Sequence, residues 1–182
     1  MSIRLQQTIP LTELDAVGKP ITEAMGMPGS AYTDETLFNF ERDQVLGKTW
    51  AGLAFSSELA NNGSLAPVDF MGLPLLITRD REGSMHVFHN VCSHRGMTLV
   101  TEPNSQARSI RCPYHSWAYD FNGSLVATPH IGGLNIHQVD NFDKSNSNLK
   151  KVRSKVWMDM IFVNLNDNEI EFNEYIKPLE SR

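Results

Sequence analysis

Four side chains constrain this chain more than any other feature. Cys92 and His94 are spaced C-x-H, Cys112 and His115 are spaced C-x-x-H, and 17 residues, Arg95 to Arg111, separate the two pairs. Thiolate and imidazole both bind metals, and at one- and two-residue spacing they converge without straining the backbone. A fold that uses all four must bring two loops tip to tip. Because the chain has 2 cysteines in all, the plain readings are one disulfide, or two buried thiols beside incidental histidines. The doubled pattern with no cysteine left over favours a shared metal site instead.

The surroundings set the class of protein. With 182 residues, 41% of them hydrophobic and 20% charged, the chain has the composition of one compact domain plus some additional chain. Its 16 Lys and Arg against 21 Asp and Glu leave a net charge of -5, with no basic block to track a phosphate backbone, so no nucleic-acid partner is expected. The longest apolar stretch, Met71 to Ile77, is broken by Gly72 and Pro74 and falls far short of the ~20 residues of a membrane span. Met1 to Gln7 lacks the basic segment and apolar run of a secretory signal, so the expectation is a cytoplasmic protein with no membrane association.

Along the chain, residues 1 to about 32 mix polar residues with Pro10, Pro20 and Pro28 and read as an irregular arm. Thr33-Asp34 then caps a predicted helix from about 34 to 47, with Leu37, Phe38, Phe40, Val45 and Leu46 on one face. From Trp50 the period approaches two, and turn signals arrive about every ten residues. The predicted strands are Gly52–Phe55, Leu65–Phe70, Pro74–Arg79, Met85–His89, Ser109–Arg111, Ala118–Phe121, Leu125–Ala127, Val152–Met158 and Met160–Leu165. Asn61-Asn62-Gly63, Asp80-Arg81-Glu82-Gly83 and Asn122-Gly123-Ser124 read as the breaks of an antiparallel all-β unit. Lys150, Lys151, Arg153 and Lys155, interspersed with Val152, Val156 and Trp157, read as a half-exposed edge. Gly132 to Asn148 reads as a polar loop, and Glu169 to Leu179 as a helix whose stripe of Ile170, Phe172, Tyr175, Ile176 and Leu179 is left uncovered.

Zinc in a Cys₂His₂ site is one metal reading, but zinc pairs group like ligands as C-x₂₋₄-C and H-x₃₋₅-H. Here each loop supplies one of each, which suits a two-iron cluster with both thiolates on one iron and both imidazoles on the other, a Rieske [2Fe–2S] centre. The stretches NVCSHRGMTLV and RCPYHSWAYDFNG, from Asn90 to Gly123, resemble the cluster loops of Rieske non-haem iron oxygenase α subunits, the group of aromatic-ring dioxygenases and choline- or carnitine-type monooxygenases. A looser resemblance runs from Tyr32 to Leu165. It implies a mainly β fold, an antiparallel Rieske-type β-sandwich with a cluster-binding subdomain, preceded by an N-terminal arm and helix. It also implies that Cys92 and Cys112 hold one iron and His94 and His115 the other, with the histidines near the surface.

Ser116 departs from the family, which more often has glycine after the second histidine. Cytochrome-type Rieske proteins carry a disulfide across the cluster, where this chain looks to have Met97 and Tyr114, and a serine hydroxyl where it has Trp117. Fewer hydrogen bonds to the sulfurs place the expected potential toward the low end of the Rieske range, about -150 to +300 mV. Tyr119 is expected near a ligand cysteine or in the sheet core, Trp117 over the cluster, Gly96 in a tight loop, and Arg95 on a docking face or solvated. His86, His89, His130 and His137 read as structural or solvated.

In the family, oxygen is activated at a separate mononuclear Fe(II) held by two histidines and a carboxylate. After His115 only His130 and His137 remain, so that site is expected in a catalytic domain missing from this chain, which could carry an electron but not hydroxylate alone. The implied organisation is arm and helix over 1–47, Rieske domain over 48–166, and the start of a truncated catalytic domain over 167–182. The leading function is one-electron transfer through the cluster, as the electron-delivering part of an α subunit that hydroxylates an organic substrate with O2. The implied partners are a reductase or ferredoxin donor, the catalytic oxygenase domain or subunit, and further copies of the subunit in a homo-oligomer. A free-standing Rieske-type ferredoxin and a structural zinc module are the alternatives.

Overall fold

The computed structural model describes residue 9 and residues 11–166 and 170–180. The chain divides into two compact units, one up to Thr49 and one from Trp50 onward. In the first, α1 (Leu11–Val17), α2 (Ser30–Thr33) and α3 (Glu35–Gln44) precede a 3₁₀ turn, Leu46–Lys48. Asp34 caps α3 by accepting the Leu37 N–H at 2.9 Å, as Thr33-Asp34 suggested. Two helices therefore lie in the stretch read as irregular; both are under eight residues, too short for a helical period to stand out against the prolines.

The second unit is antiparallel throughout. Its strands are β1 (Ala51–Phe55), β2 (Leu65–Phe70), β3 (Leu73–Arg79), β4 (Met85–His89), β5 (Ile110–Arg111), β6 (Ala118–Tyr119), β7 (Leu125–Ala127), β8 (Lys151–Trp157) and β9 (Met160–Asn164). Six of them form a sheet in the order β1-β9-β8-β4-β3-β2, and β5-β6-β7 form a small second sheet. The two halves of the large sheet meet where Val87 pairs with Val152 and Phe88 with Lys151. Their inner faces enclose Leu75, Ile77, Val87, Val152, Ile161 and Val163. This is the mainly β sandwich that the resemblance implied. β8 is internal to the sheet, not an edge: its lysines occupy the outward positions of a paired strand, and alternation alone cannot tell that from an edge.

The opposite face of β3 and β4 places the candidate site. Leu76 and Phe88 pack with Ile110, Cys92, Cys112, Trp117, Tyr119 and Leu125 in a second core. β3 is apolar on consecutive residues, Leu75-Leu76-Ile77, because it is buried on both faces. Gly123, at φ +85, lies against Phe88, whose ring would sit 2.5 Å from an added Cβ. Arg81 bridges the two sheets by donating to the Ala107 carbonyl at 2.8 Å and lying over the Phe121 ring at 5.0 Å. Finally, α4 (Phe172–Glu180) is not left with its whole stripe uncovered. Phe172 and Ile176 are buried with Trp50, whose indole N–H donates to the Ile170 carbonyl at 2.9 Å, while Ile170, Tyr175 and Leu179 remain exposed.

Candidate metal centre

Two turns with the same hydrogen bonding carry the four side chains. In the first, between β4 and β5, the Cys92 N–H donates to the Met97 carbonyl at 2.8 Å and the Gly96 N–H to the Cys92 carbonyl at 3.0 Å. In the second, between β5 and β6, Cys112 N–H donates to Trp117 at 2.8 Å and Ser116 N–H to Cys112 at 3.0 Å. Closing each turn needs a left-handed residue four after the cysteine, Gly96 at φ 72 and Ser116 at φ 58. Asn90 anchors the first loop like an extra strand residue: its side-chain amide donates to the Val100 carbonyl at 2.7 Å and accepts the Val100 N–H at 3.0 Å.

The loops sort the donors by kind. Cys92 and Cys112 are both 2% exposed and lie in the same core. His94 and His115 are half-buried, with ring centroids 4.9 Å apart, on an open cleft of about 640 Å³ also lined by Arg95, Arg111, Tyr114 and His130. A thiol pair lies inside and an imidazole pair faces outward. Among the described residues, no three His, Cys, Asp or Glu side chains gather to hold a single ion. A mononuclear Cys₂His₂ zinc site, which needs all four on one ion, does not fit this grouping, whereas two irons with two protein ligands each do.

His115 Nδ1 is buried with no hydrogen-bond partner, a ring nitrogen with nothing in the protein to satisfy it and suited to a metal bond. Burial, reinforced by His115 and Arg95 nearby, holds His94 below the ordinary histidine range, which favours the neutral form that ligates. Burial pushes the Cys92 thiol up, against hydrogen bonds from Tyr119 and the His94 backbone. The thiolate that a metal requires is thus unfavourable until the metal arrives, and binding releases protons.

The aromatic surroundings match the reading of the motif. Trp117 stacks on His94, with centroids 4.5 Å apart and planes at 10°, and meets Phe142 edge-on at 5.7 Å. The Tyr119 hydroxyl lies 3.2 Å from Cys92 Sγ, and burial raises its pKa so that it stays a protonated donor. Met97 and Tyr114 are exposed, where a disulfide would otherwise stand. Sequence reasoning missed Asn90, Phe142 and Ser93. The signal for Ser93 was a hydroxyl set between two candidate ligands, and that for Asn90 an amide at the root of the loop. His86 Nε2 lies in hydrogen-bond contact with Asp80 Oδ2 at 2.7 Å, and His89 is half-buried. His130 and His137 bind local backbone: each ring Nδ1 accepts an N–H, from Asn135 and His130 respectively.

An antiparallel sandwich carrying two matched cysteine–histidine loops defines a Rieske-type domain. The pattern of the Rieske [2Fe–2S] domain matches residues 49–142, and the chain belongs to that family. Its similarity extends to oxygenase subunits. The carnitine monooxygenase oxygenase subunit of Escherichia coli (strain K12) is 31% identical over 160 residues, covering 88% of this chain and 41% of that protein. The α subunit of 2-aminobenzenesulfonate 2,3-dioxygenase from Alcaligenes sp is 30% identical over 146 residues, covering 80% and 36%. Among solved structures, a naphthalene 1,2-dioxygenase from Rhodococcus sp. superposes with a TM-score of 0.80 at 27% identity, over 98% of this chain and 39% of that one. A quaternary ammonium Rieske monooxygenase superposes with a TM-score of 0.73 at 27% identity, over 87% and 43%. The chain thus spans about 41% of the length of the first of these relatives. Among the described residues, no helix is long and apolar enough to cross a membrane.

Proposed function

We propose that Cys92, His94, Cys112 and His115 hold the [2Fe–2S] cluster, and that the chain is the electron-delivering part of a Rieske non-haem iron oxygenase subunit that hydroxylates an organic substrate with O2. The observation that carries this reading is the sorting of donors into a buried thiol pair and an outward imidazole pair, with His115 Nδ1 buried and unpartnered. Bound there, the cluster supplies one-electron storage. The two cysteines fix it from inside, the two histidines form the side a partner reaches through the cleft, and Trp117 shields His94 from water by stacking on it.

The same reading gives residues 1–47 as arm and helix, 48–166 as the cluster domain and 167–182 as the lead into a catalytic domain that holds a mononuclear Fe(II). A reductase or ferredoxin is the electron donor, the catalytic oxygenase domain is the acceptor, and further copies of the subunit assemble with it in the cytoplasm. Iron and sulfide analysis with electron paramagnetic resonance tests the core of the proposal. Reduced native protein is expected to show a Rieske-type signal, and Cys92→Ala is expected to lose iron, sulfide and signal together. A colourless, zinc-only native protein, or a Cys92→Ala variant with unchanged absorption, overturns it.

A further inference from the structure

We infer that Ser93 is a positioning residue that diverts the single proton of Tyr119 away from the sulfur of Cys92 and so holds the cluster's reduction potential down. The inference rests on the ligand assignment proposed above and gives a role to a residue between two of the ligands. It follows from counting protons. Ser93 Oγ lies 2.5 Å from the Ser147 carbonyl oxygen, and a carbonyl only accepts, so the serine proton is committed there. That carbonyl is held in place. It ends a 3₁₀ turn, Lys144–Ser147, capped by Asp143 at 2.9 Å from the Ser145 N–H. The two residues after it are tied to the small sheet, Asn148 Oδ1 accepting the Leu125 N–H at 2.9 Å and the Leu149 N–H reaching the Gly123 carbonyl at 2.8 Å.

With its proton spent, Ser93 Oγ can only accept from its other neighbour, the Tyr119 hydroxyl at 2.8 Å. The Ser93 N–H, 3.2 Å from the same phenol oxygen, donates to it and reinforces that direction. Cys92 Sγ also lies 3.2 Å from that oxygen. As a metal-bound thiolate it has no proton, so Tyr119 is the only possible donor in the contact. One phenol proton therefore faces two acceptors. The hydroxyl sits at the usual distance of an O–H···O bond and takes the larger share. Hydrogen bonds to cluster sulfurs raise the potential, so removing the competitor returns the proton to sulfur.

The test is a redox titration of the full cluster-loaded chain, followed by electron paramagnetic resonance. Ser93→Ala is expected to raise the midpoint, and Ser93→Thr, which keeps the hydroxyl, to retain the native value. Tyr119→Phe is expected to move the native midpoint little, and in the Ser93→Ala background to erase the rise. A midpoint in Ser93→Ala that is unchanged or lower, or a rise that survives Tyr119→Phe, overturns the inference. Should Ser93→Ala take up no cluster, Tyr119→Phe decides alone: a native midpoint supports the diversion, and a clear drop overturns it. A native chain without a Rieske signal removes the proposed function, whereas a normal signal with an unmoved Ser93→Ala midpoint removes only this inference.

Discussion

Gly96 and Ser116 occupy the same place in two turns with the same hydrogen bonding, at φ 72 and 58, yet only one is a glycine. A side chain in this left-handed region costs about 1–2 kcal/mol, and the greater freedom of glycine in the unfolded chain returns about 0.4–1 kcal/mol of that difference. An added Cβ on Gly96 meets nothing within 4 Å, so backbone strain is its whole effect. Gly96→Ala is thus expected to lower stability by about 1 kcal/mol and Ser116→Gly to raise it by about 0.5–1 kcal/mol, read from urea unfolding midpoints. Shifts of the same sign in both variants would contradict the equivalence of the loops. The four candidate donors stand out from spacing alone, because a Cys and a His on each of two short turns repeat in sequence. The unpartnered nitrogen of His115 and the Asn90 clasp were not, since both depend on residues the fold brings in from outside the C-x-H spacing.

At the scale of elements, period and turn residues located all nine strands found among the described residues of the second unit, three with the bounds read and the others with ends differing by at most two residues. The turn chemistry inside the breaks was less visible. In the β3–β4 turn, Asp80 Oδ1 accepts the Glu82 and Ser84 N–H groups at 3.0 and 2.7 Å, and Oδ2 meets His86 Nε2 at 2.7 Å. Asp120 repeats the backbone part of this pattern with Asn122 and Ser124. Burial pushes the Asp80 carboxyl up, but the bonds from His86, Ser84 and Glu82 outweigh it and hold the group below the ordinary carboxylate range. Because the folded value lies below the unfolded one, the stabilisation is complete above about pH 4 and is lost as pH falls through the folded value. The urea midpoint of the native chain is expected to fall more steeply on acidification than that of Asp80→Asn; parallel slopes would remove the carboxylate from the account. The terminal helix α4 depends on tertiary contact, since nine residues are too few for a stable isolated helix. Phe172 packs on Trp50 at 5.1 Å and Phe162 at 5.2 Å between ring centroids, and truncating a buried phenylalanine costs about 3–5 kcal/mol. Phe172→Ala is expected to release α4, with fast hydrogen exchange at residues 172–180 and unchanged protection at Leu75–Ile77. Protected helix amides in that variant would show that other contacts hold the helix.

Across the whole second unit, the two cores share β3 and β4 but face opposite ways. Leu75, Ile77 and Val87 belong to the sandwich interior, and Leu76 and Phe88 to the core around the cysteines. In the sequence, the apolar run at β3 serves only to exclude a membrane span; that the strand is buried on both faces, with the candidate site on one of them, is visible only in the structure. This division sets how the metal affects stability. The sandwich core contains no ligand, so its packing is complete without iron. The other core contains both cysteines, and the buried nitrogen of His115 lies on its second loop. An unsatisfied buried polar atom costs about 1–3 kcal/mol, and a metal bound only by the folded form stabilises that form. Removing the iron is therefore expected to accelerate amide exchange at Ile110, Ala118 and Tyr119 by roughly tenfold or more, while Leu75, Ile77 and Val87 exchange as in the loaded protein. Hydrogen exchange of the loaded and chelator-stripped protein, compared residue by residue, measures this. A uniform acceleration through both sheets would instead mean that the metal stabilises a single cooperative unit, with β3 and β4 transmitting its loss to the sandwich.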